Sequence, residues 1–260
     1  MMNPKILEKI CANAELHAKW LNTLSYLENC GARKISACLH PRGVDSLMLK
    51  HAAEESRHAF FLKSLINKHF PSQVEKKSNF ESQSLFAAKM TYRYLDRLEV
   101  LVCRLLRDHM TQNLSQFYVA SVANSGVFHT NKHEKAKSRY SRLVYLVITY
   151  IIEIRAEDIY PRYQEHIKKL GFSINIRSLI NEEKGHLQEM VDSLNQELPN
   201  WKELIAPALR YEELLFQLWC RQIESEVAMF LDSTNVLKSE AAYKDHFEFA
   251  QPISNSLLSH

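Results

Sequence analysis

A chain of 260 residues is one large domain or two small ones. Its hydrophobic share of 46% and charged share of 24% exclude wholesale disorder, and a net charge of +3 is too mild to argue nucleic-acid binding by itself. Only five glycines occur, so Gly-rich phosphate loops and a turn-rich β fold are excluded as well.

The apolar spacing predicts seven helices and no strand. The first runs from about Pro4 to Leu39, with Gly31 as a weak point, and ends at His40-Pro41-Arg42-Gly43. The second covers about Val44 to His69 and stops before Pro71. After a polar stretch, the third covers about Phe80 to Thr111, and a shorter fourth Leu114 to Asn124. The fifth is long, Lys132 to Leu170, with Pro161 inside it and Gly171 placed for a left-handed C-terminal cap. Ser173 or Asn175 would cap the sixth, which ends near Leu198, and the seventh covers Trp201 to Leu231. Residues 1–232 therefore read as one all-α domain, a helical bundle, and 233–260 as a partly disordered tail. The longest apolar run, Leu143 to Ile154, is interrupted by Thr149 and Glu153, so no membrane span is expected. Five widely spaced cysteines and the absence of a signal-peptide core point to reduced thiols in a cytoplasm.

Two segments carry chemistry. Glu54-Glu55-Ser56-Arg57-His58 and Glu182-Glu183-Lys184-Gly185-His186 share the form Glu-Glu-x-x-His, and the chain has only three Glu-Glu doublets. Gly43 precedes Glu55 by 12 residues, and Gly171 precedes Glu183 by 12. The helix before each loop places a glutamate among apolar residues, Glu28 in one case and Glu153 in the other. The chain thus reads as a duplicated helix hairpin, about residues 12–69 and 135–195. Residues i and i+3 share a helix face, so Glu and His can grip one ion together. Four carboxylates and two imidazoles from four helices would neutralise two divalent cations, and mixed O/N ligation suits iron or manganese better than zinc or calcium. Glu157 lies one turn beyond Glu153 on the same face and is the alternative, or an additional, ligand.

On these residues the chain resembles the ferritin-like di-iron carboxylate superfamily, in its O₂-activating oxidase and oxygenase branch. The resemblance rests on Glu28, Glu55, His58, Glu153, Glu183 and His186. It implies a ferritin-like four-helix bundle core with additional helices, two iron ions (with Mn/Fe as the other pair) and O₂ as co-substrate. It also implies that Glu54 and Glu182 hydrogen-bond the metal-bound histidine of the opposite motif. Glu-Glu-Ser-Arg-His and Ile-Glu-Ile-Arg are similar to segments of a tRNA hydroxylase in this superfamily, and Ile-Ile-Glu resembles a ligand segment of aldehyde-deformylating oxygenases.

The function expected from this resemblance is an O₂-dependent di-iron monooxygenase or oxidase. It would act on a small organic or modified-base substrate in an apolar pocket beside the metals. An external donor of ferredoxin or reductase type would supply electrons, because no flavin or nicotinamide motif is present. The alternative is an iron-handling ferroxidase with no organic substrate. Assembly as a homodimer stays open. The segment Lys132, Lys135, Lys137, Arg139 and Arg142 reads as a solvated face, with RNA binding as its alternative. His51, one turn before Glu55, reads as a satisfied or exposed histidine, with extra ligation as its alternative; a third histidine at that offset resembles arylamine N-oxygenases, where it belongs to the later motif. Tyr26 and Tyr150 lie near the ligand helices and read as core-packing tyrosines with a bonded hydroxyl, with a radical or proton-donating role as the alternative. No catalytic residue beyond the ligands is assigned.

Overall fold

The computed structural model describes residues 2–40, 42–112 and 132–248, the side chains of 132–136 and 235–248 excepted. Its helices are α1 (Pro4–Ala12), α2 (Ala14–Cys38), α3 (Ser46–His69), the single turn α4 (Ala88–Thr91), α5 (Tyr94–Gln112), α6 (Lys132–Lys169), α7 (Arg177–Glu197) and α8 (Trp201–Glu248). The chain is all-α, with no strand among the described residues. None of its described helices is long and apolar enough to cross a membrane.

Three of the expected helices, the second, fifth and sixth, hold close to their expected bounds, and specific hydrogen bonds account for several of the differences elsewhere. The first helix breaks at Asn13, not at Gly31. Asn13 leaves helical backbone, and its side-chain oxygen accepts from the N–H groups of Glu15 and Leu16, capping α2. Asp45 likewise caps α3 through the Met48 N–H. The expected third helix is shorter than the pattern suggested. Long-range partners take the backbone donors of its first residues: the Phe86 N–H goes to the Thr23 hydroxyl and the Ala87 N–H to Glu226. Ala87 adopts a left-handed conformation there, at φ 45°, so a continuous helix starts only at Tyr94. Gly171, at φ +75°, closes α6 as expected, with the Phe172 N–H donating to the Ile167 carbonyl. Neither candidate for the next N-cap occupies that position: Ile176 does, while the Asn175 side chain accepts from Arg177 N–H. The last helix runs on to Glu248, through the first part of the expected tail. The expected fourth helix and the loop after it lie outside the described residues, as does the remainder of the tail.

The strongest packing is α2 along α3 and α6 along α7, the two hairpins expected from the sequence. Two apolar cores fill the bundle. One gathers Trp20, Leu21, Leu62, Ile66, Tyr163, Leu179 and Trp219, and the other Ile35, Met48, Leu98, Leu146, Ile151, Met190 and Leu194. Fully burying each such side chain contributes about 1.5–3 kcal/mol. On α2, α3, α6 and α7 alike, the helix enters one core with one half and the other core with the other half. A polar layer lies between them.

Candidate metal centre

The polar layer holds Glu28 from α2, Glu55 and His58 from α3, Glu153 from α6, and Glu183 and His186 from α7, all buried. The six residues singled out by motif therefore converge on one place, and a seventh, His51, joins them. On α3, His51, Glu55 and His58 occupy positions i, i+4 and i+7, a single face of the helix. Their ligand atoms form two overlapping groups, each with its members within 4.8 Å of one another. One is Glu28, Glu55, His58 and Glu183; the other is His51, Glu55, Glu153 and His186. These buried His/Glu groups could hold a metal ion.

Glu55 belongs to both groups, and Glu183 also reaches across the seam. Its Oε1 lies 3.0 Å from His58 Nδ1 and its Oε2 3.0 Å from His186 Nδ1. Several of these contacts are close without being hydrogen bonds. His51 Nε2, His58 Nδ1, Glu55 Oε1 and Glu183 Oε1 are fully buried and have no hydrogen-bond partner. Buried polar atoms are nearly always paired, so four orphans aimed at one small volume need an explanation. A cation shared among them supplies one, because lone pairs directed at a common point meet a metal ion better than they meet each other. The residues present fit a pair of divalent ions in both number and donor type.

Electrostatics agree with that fit. Burial raises the carboxyl pKa of Glu28, Glu55, Glu153 and Glu183, and their mutual charge raises it further. Burial pulls the imidazoles the other way, but the carboxylates beside them prevail. His58 is raised to about 12, chiefly by Glu183 and Glu28, and His186 to about 11, chiefly by Glu153 and Glu183. The layer is thus a site where four acidic side chains demand positive charge, whether from protons or from metal.

Outer partners hold the rings crosswise. His58 Nε2–H donates to Glu182 at 2.9 Å, and His186 Nε2–H donates to Glu54 at 3.0 Å. Each acidic residue preceding one Glu-x-x-His motif therefore meets the histidine of the other. Arg57 clamps Glu182 with two hydrogen bonds, 3.1 and 2.6 Å. This clamp, with His58 beside it, overrides the opposing effect of burial and holds Glu182 at a pKa of about 2. Lys50 bonds Glu189 at 2.6 Å and lies 3.9 Å from Glu54. The pairing fixes which imidazole nitrogen faces the carboxylates.

Other expectations fare differently. Glu157 is exposed and stands outside both groups, because the buried stripe of α6 continues from Glu153 to Tyr160 and Tyr163 and Glu157 lies off it. His51 is fully buried, not exposed. Tyr26 packs edge-on against Phe80 and Tyr92, and Tyr150 against Trp201, in keeping with the packing role read for them. Two tyrosines hydrogen-bond residues of the polar layer: Tyr160, whose hydroxyl donates to Glu28, and Tyr145, whose hydroxyl meets His51 Nδ1 at 2.9 Å. Spacing gave no signal for either, since each reaches the layer from a different turn of α6. In the basic segment, Arg142 is spent on Asp45 and Glu197.

A cavity of about 620 Å³ opens beside the layer. Glu28, Glu55 and Glu153 are among its lining residues, and Leu27, Ile148 and Ile152 among its apolar walls. Further walls come from α5 and α8, through Leu95, Phe216 and Trp219. Cys30, Cys38 and Cys103 border it, and all five cysteines of the chain are unpaired. No family model, curated protein or solved structure matches the chain.

Proposed function

We propose that the polar layer is a two-metal centre of ferritin-like type and that the protein is an O₂-dependent di-iron oxidoreductase acting on a small, largely apolar organic substrate. The observation that carries the reading is the pair of buried four-residue groups joined through Glu55. Two iron ions, when bound, supply the redox chemistry that reduces O₂ and oxidises a substrate, with electrons delivered from outside the chain.

The chain's own residues set the conditions for that chemistry. Glu55 and Glu183 span the two groups, while Glu28 and Glu153 each belong to one. Four carboxylates match the charge of two divalent ions, so the centre can be buried without net charge. Glu54 and Glu182 orient the imidazoles. Tyr160 fixes one oxygen of Glu28. The apolar walls keep water from the reacting atoms. The cavity favours an organic substrate over bare iron oxidation, which needs no such space.

The test is reconstitution. Protein loaded with Fe²⁺ under nitrogen is expected to hold two irons per chain and to consume O₂ faster than the same free Fe²⁺. Glu55→Gln is expected to lose both properties. Protein that takes up no iron, or a Glu55→Gln variant indistinguishable from the parent, overturns the proposal.

A further inference from the structure

We infer that His51 is a seventh ligand, so that the two metal positions are chemically unequal. This rests on the two-metal reading above. The position on the Glu28 side draws one imidazole, from His58, together with carboxylates. The position on the Glu153 side draws two, from His51 and His186.

Three observations support ligation over ordinary ion pairing. His51 Nε2 lies 3.1 Å from Glu55 Oε1 and 3.3 Å from Glu153 Oε1, yet it hydrogen-bonds neither. A ring nitrogen that lies between two carboxylate oxygens and is aligned with neither is placed as a ligand of an ion between them would be. The His51 and His186 ring centroids are only 3.9 Å apart, at 52°. Two imidazoles brought together in this way among Glu55 and Glu153 are placed as two ligands of one ion are. Finally, the far nitrogen of His51 meets the Tyr145 hydroxyl at 2.9 Å. With Nδ1–H donating to that oxygen, Nε2 keeps its lone pair for metal. Each of the three histidines thus has one nitrogen turned inward and the other held by an outer partner, as metal-binding histidines do. His51 sits a full turn from Glu55 and reaches the layer with its distal Nε2, while His58 and His186 approach with Nδ1.

The consequence is selectivity between positions. Nitrogen donors favour Fe²⁺ over Mn²⁺ more strongly than oxygen donors do. In a mixture of the two, iron is expected to collect on the His51 side and manganese on the oxygen-rich Glu28 side.

The experiment titrates Mn²⁺ alone and Fe²⁺ alone (anaerobically) into the full chain by calorimetry, with circular dichroism reporting the fold of every variant. The parent is expected to bind two ions with separable affinities. His51→Ala is expected to weaken one position by 10- to 100-fold and leave the other unchanged. Tyr145→Phe, which keeps the ring but removes its outer partner, is expected to weaken that same position to a lesser degree. Glu28→Gln is expected to weaken the opposite one. Anomalous scattering from crystals grown with both metals locates each element. If His51→Ala and Tyr145→Phe both bind two ions with parental affinities, or if iron and manganese mix evenly over both positions, the inference falls while the two-metal reading stands. If the parent binds no metal, both fall.

Discussion

Replacing Glu55 by glutamine is expected to move stability and metal binding in opposite directions. The side chain is nearly isosteric, so packing is preserved. Its charge is the change that matters. Burial, Glu28 and Glu183 all raise the Glu55 carboxyl pKa well above its usual value. The metal-free fold therefore carries a carboxyl that resists ionisation among other carboxyls. Removing such a group is expected to stabilise the metal-free protein by about 1–3 kcal/mol, which for a chain of this size raises Tm by about 2–10 °C. With metal the order reverses. A ligand at 100 times its Kd adds about 2.7 kcal/mol to the parent, and the variant, missing the one residue common to both groups, forfeits that gain. The assay is thermal unfolding by circular dichroism at pH 7, with chelator and with excess Mn²⁺. A variant that melts below the parent in chelator and gains as much from Mn²⁺ would refute the reasoning, because it would make Glu55 an ordinary structural residue.

Three other outcomes are expected. Glu54→Gln and Glu182→Gln should each lower metal affinity about 10- to 100-fold, as loss of an outer partner does, measured by calorimetry; unchanged affinity would show that the crosswise hydrogen bonds do not orient the rings. Glu212 is buried against Arg155, with hydrogen bonds of 2.9 and 2.6 Å, while Tyr94 donates to it at 2.5 Å. Glu212→Ala leaves the guanidinium short of charge and should cost about 3–5 kcal/mol in a urea titration, unless Glu213 compensates in full. His17 is buried beside the Tyr163 hydroxyl at 2.6 Å, and burial, with some repulsion from His69, lowers its pKa to about 4. Below pH 6.5 the unfolded chain takes up a proton that the folded chain refuses, so stability falls between about pH 6.5 and pH 4, by about 3 kcal/mol in all. His17→Gln should abolish that fall, so the parent-minus-variant stability difference should change by about 3 kcal/mol over that window, and a difference that does not vary with pH would sink the assignment.

The helices were legible in the sequence because a 3.6-residue apolar period and its punctuation by proline, glycine and capping residues are local properties. So were the ligand candidates: Glu-Glu-x-x-His repeated at matched distances from Gly43 and Gly171 places donors on one face of a helix whatever the partner helix is. What lay beyond local pattern was whatever depends on depth along a helix and on which neighbour meets it. Glu153 and Glu157 lie one turn apart, and only the packing of α6 against its neighbours decides that the buried stripe runs from Glu153 to Tyr160 and leaves Glu157 in solvent. His51 looked incidental until α6 brought Tyr145 to its far side and Glu153 to its near side. The break at Ala87 follows from Thr23 and Glu226, residues 63 and 139 positions away from the backbone groups they engage. Periodicity can say which way a side chain faces along its own helix. Whether that face meets water, oil or another acid is decided by contacts between residues far apart in the chain, and only the packed fold supplies them.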